Sequence, residues 1–223
     1  MKRVLAISAH PDDETLGCGG MLLRHHAEGD EIHWLIVTRA YEPVWSRDVI
    51  DTKRAEVEAV GAAYGMASVN WLTHQSLRLD TLPQHELIDC ISRTVEAVRP
   101  EVVYLVNRDD VHTDHAAVHS ATMSVIKPFY MTRLGIRRVL AYETLSSTEG
   151  GVDNGQASFR PQIYGDISDY LERKLSIMAL FASETQDDPM PRGPAAIRAL
   201  ARVRGAAVGI DYAEAFTLIR ETM

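Results

Sequence analysis

The first forty or so residues alternate apolar and helical segments in an order that few folds accommodate. Val4 to Ala9 is a short apolar run, suited to a strand buried on both faces. A polar turn follows, then Gly17-Cys18-Gly19-Gly20, then a helical stretch from Met21 to Glu28 that stops at Gly29-Asp30. Glu31 to Thr38 reads as a second strand. Strand, loop, helix and strand at this spacing are the signature of a βαβ unit.

The alternation continues. Thr52 to Tyr64 is rich in Ala and Glu and is stopped by Gly65. Val69 to Leu72 reads as a strand, Leu87 to Val98 as a helix ending before Pro100, and Val102 to Val106 as another buried strand. A helix from about His115 to Ile126 closes at Pro128, and Val139 to Thr144 is a late strand. The expectation is an α/β fold: a Rossmann-like, mostly parallel sheet with helices on both faces. Beyond it, Ser146 to Gly155 reads as a surface loop and Asp169 to Ala182 as a helix. Asp187 to Pro194 holds three prolines and reads as irregular, and Pro194 to Arg204 as the last long helix. Residues 1–223 are therefore expected to form a single domain. Its core spans 1–144, and the less regular extension 145–223 acts as a cap shaping the substrate pocket.

A chain of 223 residues is long enough to bury a sizeable core. Its net charge of −8 argues against nucleic-acid and anionic-membrane partners, which need basic surface. Two cysteines, Cys18 and Cys90, make neither a disulfide framework nor a Cys-type zinc site, and fit a reducing cytoplasm. The apolar run at the N-terminus is too short for a signal peptide, and no apolar stretch reaches the length of a membrane span.

The sharpest chemical signal is His10-Pro11-Asp12-Asp13-Glu14, directly after the first buried strand. In open α/β sheets, ligands bind outside the carboxyl ends of the strands. Histidine with carboxylate is a common zinc ligand set, and a catalytic zinc takes three protein ligands and keeps one position open. A second cluster, Asp109-Asp110-Val111-His112-Thr113-Asp114-His115, follows the strand Val102 to Val106. A capping turn and a solvated loop are the bland readings of the two segments. Two strands delivering His and Asp groups to one rim argue against both. His119 reads as a buried helix or supporting residue, and His25, His26, His33, His74 and His85 receive no role. Cys18 reads as a small residue at a tight helix–strand contact. The glycines around it match neither dinucleotide- nor phosphate-loop spacing.

At these residues the chain resembles the PIG-L/LmbE-like deacetylase family. The resemblance rests on Ala9 to Glu14 with the following glycines, Arg54-Ala55-Glu56, Arg99-Pro100-Glu101-Val102-Val103 and His112 to His115. It extends more weakly to Tyr142 to Glu149, Lys174, Arg204-Gly205 and Ala213 to Phe216. It implies zinc-dependent removal of an N-acetyl group from a small amino-sugar derivative. His10, Asp13 and His115 would be metal ligands and Asp12 the general base. A protonated His112 would stabilise the tetrahedral intermediate, and Asp114 would orient His112 or support the loop. Glu14 reads as structural. Zinc (Zn2+) is the implied cofactor, with Fe(II) (Fe2+) an acceptable alternative for His/Asp ligands, and members of the family often form homo-oligomers. Arg54, with Lys53 beside it, is a candidate substrate-binding cation; a solvated helix face is the competing reading. Thr113 stands where many members have Pro, and residues 73 to 80 lack the Pro-Asp-Gly-like turn of the sugar-thiol enzymes. An amidase acting on a thiol-sugar conjugate or an antibiotic intermediate, and a non-enzymatic binding module, are the competing functions.

Overall fold

The computed structural model describes residues 1–151 and 159–223. The expected alternation builds β1 (Arg3–Ser8), β2 (Glu31–Arg39), β3 (Ser68–Gln75), β4 (Val102–Val106) and β5 (Arg138–Tyr142), paired in parallel. Between them run α1 (Asp13–Ala27), α2 (Arg47–Tyr64) and α3 (Gln84–Val98), the last preceded by a short 3-10 turn at Leu79–Thr81. After β4 come α4 (Thr113–Val125) and α5 (Pro128–Leu134). The C-terminal part supplies β6 (Ile163–Asp166), α6 (Leu171–Met178), α7 (Pro194–Ala206) and β7 (Ala213–Glu221).

The sheet order is β3-β2-β1-β4-β5-β7-β6. Helix α1 packs against α2 and α6, while α3 packs against α4, so the sheet is covered on both faces. The central strands β1 and β4 are buried along nearly their whole length, which is why their sequences lack alternation. From β1 the chain crosses to β2 on one side and later returns to β4 on the other. The order reverses there, and the carboxyl ends of β1 and β4 open a crevice between them.

Several boundaries differ from the sequence expectation, each for a packing reason. Helix α1 starts at Asp13, so Gly17-Cys18-Gly19-Gly20 is helix and not loop. Glycine disfavours a helix interior, but here a side chain has no room. A Cβ on Gly17 would sit 2.0 Å from the Tyr142 ring, and one on Gly20 would sit 2.6 Å from Ile167. Cys18 is fully buried among these contacts, as expected of a small residue at a tight interface. Helix α2 begins at Arg47, where Ser46 caps it by accepting from the Val49 amide. Helix α4 stops at Val125, before Pro128 as expected, and Pro128 then opens a further helix, α5, because proline at the first helical position needs no N–H partner.

The extension from 145 onward is expected to be less regular and to cap the pocket. Part of it joins the sheet, where β7 pairs antiparallel with both β5 and β6. The Ser146 to Gly155 loop lies partly outside the described residues.

The extension is pinned to α1 by a buried ion pair. Lys174 Nζ lies 2.7 Å from Glu214 Oε1, both side chains 4% exposed. Lys174 also donates to the Leu16 carbonyl (2.8 Å), and Glu214 accepts from the Gly20 and Met21 amides (2.7 and 2.8 Å). Leu16 and Gly20 are one i, i+4 step of the same helix, so the pair grips a single helical turn. Breaking a buried pair from one side leaves an uncompensated charge. Lys174→Met is expected to lose about 3–5 kcal/mol in urea unfolding, and Lys174→Met/Glu214→Gln to lose less than that single variant.

Candidate active site

Both motifs arrive at the crevice between β1 and β4. Residues 9 to 12 leave β1 and turn directly into α1, and residues 107 to 112 leave β4 and turn into α4. The turn after β1 is held from beneath. Tyr142 donates to the Ile7 carbonyl (2.9 Å), and Trp34 Nε1 donates to Ser8 Oγ (3.0 Å). Glu14, fully buried, accepts from Thr15 Oγ1 (2.6 Å) and from the Asp12 amide (3.3 Å). Burial, with the nearby Asp12 charge and against the Thr15 bond, pushes the Glu14 carboxyl up to about 8. It is protonated at neutral pH and serves the turn, as its sequence position suggested.

The histidines are fixed from behind by carboxylates. His10 Nε2 lies 3.0 Å from Asp114 Oδ2, and His115 Nδ1 lies 2.6 Å from Asp110 Oδ2. Asp13 Oδ2 accepts from the His10 amide at 2.8 Å. These partners leave His10 Nδ1 and His115 Nε2 on the side of the Asp13 carboxylate, and a ring nitrogen each of His10, His112 and His115 lies within 4.8 Å of the others. His10 Nδ1 is 3.7 Å from Asp13 Oδ2, and His115 Nε2 is 3.2 Å from Asp13 Oδ1. The buried His115 Nε2 has no other polar group in reach than the Asp13 carboxylate, with which it makes no regular hydrogen bond. Ligand atoms at about 2.0–2.1 Å from a tetrahedral zinc stand roughly 3.4 Å apart. The donor set, its spacing, the orphaned nitrogen and the carboxylates behind each imidazole all fit a divalent ion.

Burial opposes charge on both imidazoles, but their carboxylate neighbours outweigh it. His10 rises to about 9 through Asp114 and Asp13, and His115 to about 10 through Asp13 and Asp110. Asp13 is held well below the usual carboxylate range: the two histidines overcome its burial.

Asp12 stands apart from this triad. Its backbone lies in the left-handed region, φ 104°, a conformation that costs a non-glycine residue about 1–3 kcal/mol and concentrates at functional sites. It precedes α1 without capping it. Its carboxylate turns instead to Arg192 Nη1, 3.2 Å away. Burial first, then the negative charges of Asp13 and Glu184, push Asp12 up to about 7 against the pull of Arg192 and His10.

His112 caps α4: its Nδ1 accepts from the Asp114 amide at 3.3 Å. That bond fixes the tautomer with the proton on Nε2. Burial and the two neighbouring imidazoles push its pKa down to about 4. His112 is therefore a neutral N–H donor, where the sequence reading has it protonated. The Asp114 carboxylate lies on His10 and on the Leu77 and Leu79 amides (2.7 and 3.3 Å), so it positions His10 and the loop after β3. His119 ties α4 to β4 through the Val106 carbonyl at 3.0 Å.

These groups line a cavity of about 660 Å³. One wall is polar: Lys53, Ser183, Glu184 and Arg192. Arg192 Nη1 lies 2.5 Å from Glu184 Oε2, and Lys53 pairs with the other oxygen of Glu184. Glu56 accepts from the Ser183 amide and hydroxyl (2.8 and 2.7 Å), docking this segment on α2. Arg54 is not brought to the cavity. Its guanidinium faces solvent beside Asp51, 59% exposed, while Lys53 points inward. The inward stripe of α2 runs through Glu56, Val57, Val60 and Tyr64, and Lys53 extends it by one turn; Arg54 lies off it. That stripe is a signal the sequence carried. Asp110 lay within the second cluster that the sequence singled out, though without a role of its own; nothing in the sequence marked Arg192 or Glu184.

A family model described as PIG-L, GlcNAc-PI de-N-acetylase, matches residues 5–126. The chain belongs to the PIG-L family. Among PIG-L relatives, the uncharacterized deacetylase YaiS of Escherichia coli (strain K12) is 29% identical over 189 residues, covering 79% of this chain and 89% of YaiS. The 1D-myo-inositol 2-acetamido-2-deoxy-alpha-D-glucopyranoside deacetylase of Rhodococcus erythropolis (strain PR4 / NBRC 100887) is 27% identical over 156 residues. That match covers 56% of this chain and 53% of the relative, so the chain spans about half of that protein. The crystal structure of the conserved protein TT1542 from Thermus thermophilus superposes with a TM-score of 0.78 at 25% identity, covering 100% of this chain and 97% of that one.

An imidazole must be neutral to coordinate a metal, and the neighbouring carboxylates raise His10 to about 9 and His115 to about 10. Zinc uptake at pH 7 is accordingly expected to release about two protons. Calorimetry in buffers of different ionisation enthalpy reads this number directly.

Proposed function

We propose that this chain is a metal-dependent N-deacetylase acting on a small amino-sugar derivative. The observation that carries the reading is the Asp13 carboxylate set between His10 Nδ1 and His115 Nε2, with His112 and Asp12 lining the same cavity. Family membership and the amino-sugar deacetylase among the relatives support the substrate class.

His10, Asp13 and His115 would hold the ion, zinc or Fe(II). Such an ion polarises the amide carbonyl and makes water acidic enough to attack near neutral pH. Asp12 takes the proton of the attacking water on its carboxylate and delivers it to the leaving amine nitrogen. Its carboxylate makes no cap bond to α1 and is held by Arg192 through one oxygen, Oδ2. His112 donates Nε2–H to the carbonyl oxygen as negative charge develops there, a contribution of about 3–4 kcal/mol for one such donor. Asp114 and Asp110 keep the two ligand imidazoles in a single tautomer. Lys53, Ser183 and Glu184 offer donors and acceptors to sugar hydroxyls. Among the described residues no helix is long and apolar enough to cross a membrane. Both cysteines are free, and on that usage the proposal places the reaction in the cytoplasm.

Acetate release from a panel of N-acetyl-hexosamine derivatives by zinc-loaded protein tests the reading. Asp12→Asn is expected to lower kcat about 10²–10⁴-fold while the protein still takes up zinc. No release from any sugar in the panel would sink the substrate class. The pH profile supplies a second check. A base must be ionised to act, and Arg192 favours the ionised form of Asp12. Removing that cation raises the Asp12 pKa, so Arg192→Met is expected to move the acid limb of kcat/KM to higher pH.

A further inference from the structure

Among the described residues, six buried side-chain nitrogen and oxygen atoms have no hydrogen-bond partner, and three of them belong to residues that line the cavity. His115 Nε2 is a proposed metal ligand. Arg192 Nε belongs to a guanidinium already engaged with Asp12 and Glu184. The third is Thr144 Oγ1, a neutral hydroxyl that no step of the proposed reaction uses. A buried hydroxyl without a partner costs stability, and valine would fill the same shape without that cost.

Thr144 is held rigidly just beyond β5 and is 2% exposed. Glu143 before it is gripped by Arg204, whose Nε and Nη2 donate to its two oxygens at 2.7 and 2.6 Å. The Thr144 amide donates to Thr148 Oγ1 at 2.8 Å, and its carbonyl accepts from the Ser147 and Thr148 amides at 3.1 and 2.9 Å. Its backbone groups are thus all used, and only the side-chain hydroxyl is left over. The Ser147 carbonyl accepts from the Val111 amide at 3.1 Å, one residue before His112. That bond ties the turn carrying Thr144 to the loop carrying His112. Ser147 lines the same cavity and is buried.

We infer that Thr144, with Ser147 beside it, is a specificity-determining residue that hydrogen-bonds one ring hydroxyl of the amino sugar. A threonine hydroxyl both donates and accepts, as a sugar hydroxyl does, so the two match without bringing charge into the site. A site built to bond a hydroxyl rejects the analogue that lacks it, because its own buried polar group is then left unpaired. This inference rests on the deacetylase reading above.

The test uses zinc-loaded protein with the methyl glycoside of N-acetylglucosamine and its 3-deoxy, 4-deoxy and 6-deoxy analogues. One analogue is expected to lose about tenfold in kcat/KM relative to the parent sugar. Thr144→Val is expected to lose that factor on the parent sugar alone, which brings the ratio of parent to analogue close to one. Thr144→Ser keeps the hydroxyl and is expected to keep the ratio. Thr144→Val is also expected to hold or raise Tm, since it removes an unpaired buried hydroxyl.

Hydrolysis of all four sugars at equal kcat/KM overturns the inference and leaves the deacetylase reading intact. A Thr144→Val protein that loses activity equally on every sugar, or keeps the wild-type ratio, shows Thr144 to be structural and overturns it as well. So does a lowered Tm in Thr144→Val, which means that the fold itself already uses the hydroxyl. No hydrolysis of any of the four sugars, with zinc bound, overturns both readings.

Discussion

The parallel pairing of β1 with β4 is the constraint on which the site depends. Val4 to Ile7 lie in register with Val102 to Leu105, so the two strands end side by side. Each then releases a short polar segment into the same crevice. One segment carries His10, Asp12 and Asp13 and the other His112 and His115, about a hundred residues apart in the chain. Strand order reverses at this pair, so no helix crosses the crevice and it stays open to a ligand.

Precision at the crevice comes from charges set behind the reactive groups. Asp114 and Asp110 each place a buried carboxylate on the far nitrogen of a histidine. The same arrangement gives Asp12 and Asp13 opposite behaviour although they are adjacent. Asp13 faces two imidazoles and is held ionised. Asp12 is turned away by its left-handed backbone and is left with burial, like charge and one guanidinium, which bring it near neutrality. Two neighbouring carboxyls with separated pKa values are suited to separate tasks.

The C-terminal part completes the molecule in two ways. It extends the sheet with antiparallel strands that lock to α1 through Lys174 and Glu214. It also lays Ser183, Glu184 and Arg192 along the cavity that the two motifs line.

The sequence by itself determined the order of buried strands and helices, and with it the location of His10 to Glu14 and His112 to His115 at strand ends. Apolar runs without alternation and glycine or proline stops are local properties that survive without a partner. Glu14 was legible as structural for the same reason. The tertiary structure decided what depends on packing across the chain. Gly17 to Gly20 became helix because Tyr142 and Ile167 leave no space for a side chain. Strand β7 exists because β5 offers it an edge. Lys53 and not Arg54 entered the cavity because α2 buries one stripe. Arg192 reached Asp12 from 180 residues away through a proline-rich segment with no periodicity to read. The state of His112 was likewise set by its place as a helix cap. Residue type announced the chemistry, and partners brought together only by folding set charge and direction.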